Sequence, residues 1–378
     1  MNDEILNIGK LTFKIASHED NSKIIKFLKM CPSHGHMQIA LDRGPHFFEA
    51  MEVEGLINLP VICIDSTTSQ IVSMGSISEK KCFLNNCEHP IGYLSSLRSL
   101  PEVQRSTLLA RGYQFFYQIH RKLECKIYVT TILEDNYNAI KVLTSRKAGL
   151  PAYNDWGRIH TLMVKIGKNT WKAKNGLTYE RAKIEDIPDI LNLIKSESQK
   201  RQFVTSYSED HLISKTGLLR GLDVGDIRLL RSNGKIVALT GIWNQNAFRR
   251  WHVVRYSSSF MFLKMIWNQY AKISRYPRFP DEAEIIDYRF LSFLTILNNN
   301  VDYLETLLFY IWKEFNLKRP NPLAMIALHE KDPLLKVFQK YPSYDLKSRL
   351  YVVNWPKDQQ AVADIKRELI PTIEIASM

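Results

Sequence analysis

Residues 11–29 read LTFKIASHEDNSKIIKFLK, and an altered copy, LTYERAKIEDIPDILNLIK, stands at 177–195, about 166 positions further on. The copy keeps the Leu-Thr-aromatic opening, sets Ala182 against Ala16, and sets Glu185-Asp186 against Glu19-Asp20. A second echo lies downstream, where QIVSMGSI at 70–77 matches KIVALTGI at 235–242. Composition alone does not produce two matches at nearly one offset, so a single fold unit is expected twice, at 1–168 and 169–378. In each copy a short β-run (11–15; 177–181) precedes an acidic turn and an amphipathic helix. Ile24, Phe27 and Leu28 form one apolar stripe, and Ile187, Ile190, Leu191 and Ile194 form the other.

The totals agree with two cores of ordinary size. The chain has 378 residues, 45% apolar and 24% charged, the balance of a globular protein and not of a disordered one. Its opening, MNDEILNIGK, has no basic start leading into an apolar core, and no window approaches the roughly 18 apolar residues of a membrane helix. A cytoplasmic location is therefore expected. Five cysteines, Cys31, Cys63, Cys82, Cys87 and Cys125, is an odd number confined to the first half, which argues against a disulfide framework. Neither Cys31 with His34 and His36 nor Cys82 and Cys87 with His89 has paired C-x-x-C spacing, so no metal site is expected. A net charge of +12 suits an anionic partner without choosing among a nucleotide, a nucleic acid and an acidic protein.

Further elements follow in the same rhythm. In the first half, β-runs at 61–65 and 70–78 joined by Ser-Thr-Thr-Ser read as a hairpin, matched by 227–231, a Ser-Asn-Gly turn and 235–243. Next come IGYLSSLRSL at 91–100, Pro101-Glu102, a helix over 107–123, a strand over 126–133, a helix from 137 to about 145, and a last strand at 160–166. The Lys, Asn and Gly of 167–176 mark a linker.

The order strand, Pro-Glu, polar loop, helix, strand, Asn-x-x-Ala helix resembles the GNAT superfamily of acyl-CoA-dependent N-acyltransferases, over most of both halves. The resemblance implies an α/β (α+β) fold of two GNAT-like units, each a mixed, mostly antiparallel sheet flanked by helices, with the fourth strand splayed from the fifth. It implies that pantetheine of acetyl-CoA or a longer acyl-CoA lies in that splay. The pyrophosphate would rest on amides at the start of the next helix, where unpaired donors and the helix dipole favour an anion. Carried onto this chain, the cofactor-pairing segment is Leu97, Arg98 and Ser99. The phosphate loop is Gln104, Arg105, Ser106, Thr107, Leu108 and Leu109, and Asn136 with Ala139 is the Asn-x-x-Ala pair. Gln104 matches the family's Gln/Arg-x-x-Gly-x-Gly/Ala pattern, whereas Thr107 and Leu109 stand where small residues are usual. A misplaced side chain of that kind costs roughly 1–2 kcal/mol against the roughly 8 kcal/mol of micromolar binding. In the second half no glycine-rich element follows 288–297, and Asp302 and Glu305 would repel a pyrophosphate, so that copy reads as degenerate.

Acyl transfer to an amine needs a positioned thioester, a deprotonated nucleophile, an oxyanion donor and often an acid for the leaving thiolate. The tyrosine that the family often supplies is replaced by Leu143, leaving Tyr137 and Glu134 as the catalytic candidates, with Tyr153 a further substitute. Cys125 reads as core. Within 42–49, Arg43 and His46 are the candidate substrate-binding residues, while Phe47, Phe48 and Met51 read as a Pro-started helix packed on the sheet. An insertion near 247–279 carries seven arginines and lysines and no acid, interleaved with aromatics. It reads as an amphipathic helix with Phe260, Leu263, Trp267 and Tyr270 inward, and alternatively as a nucleic-acid surface. The leading expectation is an acyl-CoA-dependent N-acyltransferase, with acetyl as the expected group, acting on a small-molecule or protein amine. The alternative is a catalytically inactive module of the same fold that binds an acidic protein or nucleic acid through the basic insertion.

Overall fold

The structure, a computed structural model, describes residues 5–31, 37–103, 107–147, 149–165, 173–273, 278–316 and 323–378. The chain runs through β1 (Ile5–Ile8), β2 (Leu11–Ile15), α1 (Asn21–Met30), β3 (Met37–Asp42), α2 (Phe47–Met51), β4 (Ile57–Asp65), β5 (Gln70–Leu84) and β6 (Cys87–Ser99). Then come α3 (Leu108–His120), β7 (Tyr128–Leu133), α4 (Tyr137–Leu143), β8 (Ala152–Lys165), β9 (Leu177–Arg181), α5 (Ile187–Ser198), β10 (Arg201–Gln202), β11 (Val204–Thr205) and α6 (Glu209–Ile213). The remainder is β12 (Ile227–Ser232), β13 (Lys235–Trp243), β14 (Arg250–Tyr256), α7 (Ser258–Ile273), β15 (Tyr288–Ile296), α8 (Val301–Asn316), β16 (Leu323–His329), α9 (Leu335–Phe338), β17 (Ser343–Asn354), α10 (Gln359–Ala363) and β18 (Ile370–Pro371).

Fourteen strands form one mixed, mostly antiparallel sheet in the order β1-β2-β4-β5-β6-β7-β17-β8-β16-β15-β13-β12-β9, with β11 on β5. Read from its two ends, the order β2-β4-β5-β6-β7 repeats as β9-β12-β13-β15-β16. The strand order is thus alike from either end of the sheet. Its closing strands change places: β17 pairs with β7, and β8 pairs with β16. The two meet each other in a long antiparallel ladder from Ser343↔Val164 to Asn354↔Ala152. Leu162, Val164, Leu350 and Val352 on these strands are buried, so the middle of the sheet is sealed on both faces and no edge remains between the halves.

Helices cover both faces in matching places. On one face Ile24 and Phe27 of α1 and Phe47 and Met51 of α2 pack on Ile62, Ile71 and Met74, and Ile187, Ile190 and Ile194 of α5 pack on Leu229 and Leu239. On the other, Phe115, Phe116 and Ile119 of α3 lie over Phe13, Val61 and Ile77, and Leu304, Leu308 and Ile311 of α8 lie over Leu230, Val237 and Ile242. The α1 and α5 stripes bury as their 3.6-residue spacing predicts. Each follows a turn in which Asp20 or Asp186 accepts the backbone N–H of Ser17 or Lys183.

Several elements depart from the sequence reading. β5 and β6 run on to Leu84 and back from Cys87, well past the expected strand ends, because Asn85 and Asn86 take up the left-handed conformations of a tight turn. β8 begins at Ala152, not 160. β3 was not foreseen: it pairs with β14 of the insertion in a separate two-stranded ribbon. α7 forms, but Leu263 is 57% exposed and Tyr270 is exposed, while Lys264 turns inward onto Asp281 at 2.8 Å and over the Tyr256 ring. Phe260 and Trp267 do pack, against Tyr256, Phe279 and Tyr344. The helix rests on this narrow aromatic stripe and not on a broad sheet, which is why most of its apolar residues face outward.

Candidate active site

β6 and β7 are parallel partners only at Gly92↔Tyr128 and Tyr93↔Val129. Gly92 permits that approach, since a Cβ there would lie 2.0 Å from the Tyr128 ring. The Thr130 hydroxyl donates to the Leu94 carbonyl at 2.8 Å, and beyond it the strands part. On the side of β5, Ser76↔Ser95 and Met74↔Arg98 leave Ser96 and Leu97 opposite the single residue Gly75, with Ser96 at φ 57°. This is a β-bulge, and it turns β6 away from β7. Gly75 is required there as well, because a Cβ would meet Phe116 at 2.8 Å. α3 begins beyond the parted end of β6 with Thr107 as N-cap, whose own side chain makes no capping hydrogen bond.

The second half repeats the device. β15 and β16 pair only from Tyr288↔Leu323 to Phe290↔Met325, and Phe293 and Leu294 bulge opposite Thr240 with Phe293 at φ 40°. Here the openings are filled from within. The Glu374 carboxylate accepts the Phe293 N–H at 2.6 Å and the Ala376 N–H at 3.1 Å. At the start of α8, Asn300 Oδ1 accepts from the amides of Asp302 and Tyr303, and Asp302 faces Lys174 at 3.3 Å. Arg201 and Lys200 hold the preceding turn through Asn299 and Asn298. A helix start already carrying an acceptor and an acid has little left for a phosphate.

Between the two splays, on the α1 and α5 face, lies a group of polar side chains assembled from both halves. Glu54, fully buried, meets Arg43 at 2.6 Å and accepts the Ser95 hydroxyl at 2.9 Å, one residue before the bulge. Arg249 approaches Glu54 at 3.9 Å and donates to the Ala376 carbonyl at 3.1 Å. Burial and the nearby Arg43 lower the Arg249 pKa to about 10. Among the described residues, Arg43 Nη1, Arg249 Nε and the Tyr288 hydroxyl have no hydrogen-bond partner. Lys80 donates to Ser377 at 2.6 Å, its pKa lowered by burial while Glu374 and Glu54 act against that shift. Burial likewise pushes the Tyr93 hydroxyl well above its ordinary pKa.

The residues named from sequence fall as follows. Leu97 is exposed on the bulge, and Arg98 donates to the Cys31 carbonyl. Ser99 is the last residue of β6 and pairs with Ser73. Thr107, Leu108 and Leu109 open α3, with Leu108 buried; Gln104, Arg105 and Ser106 lie outside the described residues, as do His34 and His36. Asn136 caps α4, its Oδ1 accepting the Ala139 N–H at 3.2 Å, so the Asn-x-x-Ala pair is a capping pair. Tyr137, first in α4, is 76% exposed, and Glu134 is held by Arg158 at 2.6 Å. Tyr153 is buried against the Tyr113 hydroxyl. Cys125 is buried with its thiol pKa raised, as a core residue should be. Arg43 joins the polar group; His46 is exposed at the start of α2. Sequence reasoning missed Glu54, Lys80, Arg249 and Glu374. Among the described residues no cluster of three or more His, Cys, Asp or Glu side chains is arranged to hold a metal, and no helix is long and apolar enough to cross a membrane.

No protein-family model matches the sequence, and no curated protein matches it. Solved structures do match in fold. A GCN5-related N-acetyltransferase from Sphaerobacter thermophilus superposes with a TM-score of 0.57 at 8% identity, over 99% of this chain and 100% of that one. The N-myristoyltransferase of Saccharomyces cerevisiae with bound myristoyl-CoA gives 0.57 at 10% identity, over 93% of this chain and 85% of that one. A GCN5-related N-acetyltransferase from Anabaena variabilis gives 0.50 at 10% identity, covering 90% and 72%. Taken with the parted parallel strands and the bulge beside them, these likenesses show that the chain shares the fold of those acyltransferase structures.

Proposed function

We propose that the chain is an acyl-CoA-dependent N-acyltransferase, acetyl-CoA being the first acyl donor to test, built from two GNAT-like units at 1–168 and 169–378 that exchange their last strands. The acyl donor occupies the β6/β7 splay, and the second unit serves the acceptor, a small-molecule or protein amine. What carries the reading is the difference between the two splays. In the second, Glu374 takes the bulge amide of Phe293 and Asn300 caps α8. In the first, Ser96 is the residue equivalent to Phe293, and Thr107 makes no side-chain cap to α3.

The Glu374 carboxylate also marks where an oxygen sits against such a bulge. By that equivalence the Ser96 N–H receives the thioester carbonyl oxygen, and as the amine nitrogen bonds to the carbonyl carbon the same donor holds the developing oxyanion. The C–S bond then breaks, the thiolate takes a proton, and the new amide sheds one. Glu54, anchored to Ser95 and Arg43, fixes the acceptor side of the bulge. Tyr137, with its exposed hydroxyl, is the proposed proton donor to the thiolate; Glu134 is tied to Arg158 and is the weaker candidate. A Tyr137→Phe variant is expected to lower turnover by about 10²-fold or more.

The inactive-module alternative draws on the same exposure of Tyr137 and on the commitment of Glu134. Its nucleic-acid form has less support. Arg250 is paired with Asp42, Lys264 with Asp281 and Arg278 with Glu284, while Arg249 is buried. Thiol release from acetyl-CoA in the presence of a panel of amines decides between enzyme and module: amine-dependent release supports the proposal, and none with any amine, despite acetyl-CoA binding, favours the module.

A further inference from the structure

The second splay keeps a cavity open to solvent on one side, lined by β15 around its bulge, the facing residues of β16, the end of α5 and segments 203–207 and 372–375. An acyl-CoA does not suit it, since Asn300 and Asp302 occupy the helix start and Glu374 holds the bulge amide. Its walls are mainly apolar, with Ile194, Phe203, Leu294, Ile326, Leu334 and Ile373 among them. Three carboxylates also reach it. Glu197 is paired with Lys200 at 2.9 Å and Asp332 with Arg201 at 2.5 Å. Glu374 is different: among the described residues it has no ion pair within 4 Å, its oxygens accept the main-chain N–H groups of Phe293 and Ala376, and burial raises its pKa while those amides, Lys80 and Ser292 act against the rise. A carboxylate has about four acceptor sites, so it can take more donors. Lys80 acts on it through the field, and the Lys80 hydrogen bond that the described residues show goes to Ser377.

We propose that this cavity is the acceptor pocket and that it selects an amine with an apolar body, the ammonium head meeting Glu374 and the body lying along β15 and β16. The proposal rests on the acyltransferase reading for its role, though not for its binding chemistry. Lys80, hydrogen-bonded to Ser377, lies in the field of both Glu374 and Glu54, and Glu54 accepts the Ser95 hydroxyl of the first splay.

Calorimetric titration of the full chain with n-hexylamine and with n-hexanol tests this. The amine is expected to bind saturably and at least tenfold more tightly than the alcohol. Glu374→Gln should erase that preference, and Thr295→Trp, which fills the cavity without touching Glu374, should weaken the amine at least tenfold. Equal affinity for amine and alcohol in the native chain, an undiminished preference in Glu374→Gln, or full affinity in Thr295→Trp each overturns the proposal. Should Glu374→Gln fail to fold, the other two comparisons still decide. Acetyl-CoA is titrated alongside: amine binding without acetyl-CoA binding removes the acyltransferase reading and leaves the pocket, and the reverse removes the pocket alone.

Discussion

Glu54 shows how much a single side chain carries. It neutralises Arg43 and receives Ser95 in a place where neither carboxylate nor guanidinium reaches water. Removing one member of a buried pair strands the other, at a cost of about 3–5 kcal/mol. Glu54→Ala is expected to lose stability on that scale in urea unfolding; a loss below about 1 kcal/mol would mean that Arg43 finds another partner. Titration follows the same logic. Burial lowers the pKa of His120, His211 and His329 below the ordinary 6.5, against the pull of Asp358 on the first. The unfolded chain therefore binds protons first, so stability is complete above pH 6.5 and falls as pH drops through that value towards the depressed folded ones. A further loss begins below about 4.5, because burial would raise Glu314 but Arg228, Tyr179 and Arg181 hold it down at about 2. Urea midpoints should decline from pH 7.5 to 5.5, and His329→Gln should flatten the slope; a flat native profile contradicts this. Little of the polar group was legible beforehand. Arg43 stood out beside Gly-Pro, but Glu54, Lys80, Arg249 and Glu374 come from distant parts of the chain, and only the folded sheet brings them together.

Elements were far more legible where periodicity was strong. α1 and α5 bury the expected stripes, and β9 and β13 have the expected bounds, because alternation and 3.6-residue spacing are local signals. β3 was invisible because it has no place in the main sheet and exists only by pairing with β14. α7 misled because an apolar, aromatic helix was taken to need a sheet beneath it. It leaves Phe262, Met265, Ile266 and Ile273 exposed. Ile266→Glu is thus expected to change stability by no more than about 0.5 kcal/mol in urea unfolding, and a loss above 2 would place that residue against something. Gly92→Ala should behave in the opposite way. The added methyl collides with Tyr128, so about 1–3 kcal/mol of stability should be lost together with acetyl-CoA affinity, as the strands separate one step early. An unchanged melting curve would refute that view of the junction.

At the scale of the molecule, the matching stretches at 11–29 and 177–195 are readable in sequence while the crossed pairing of β8 and β17 is not, since only the folded sheet shows which strands they join. That pairing ties both halves into one sheet, so thermal unfolding should be a single transition, and residues 1–168 alone should leave β7 without its β17 neighbour and aggregate; a soluble, cooperatively folding fragment would speak against this. The same continuity sets the second splay, where Glu374 takes the bulge amide and Asn300 caps the helix start, beside a first splay in which Thr107 makes no side-chain cap. The central claim is that the first splay holds acyl-CoA. Calorimetric titration of the full chain with acetyl-CoA, repeated on Thr107→Glu, tests it most directly. Saturable one-to-one binding that the acidic substitution weakens tenfold or more is the predicted result, and no saturable heat, or the same affinity in both proteins, would contradict it.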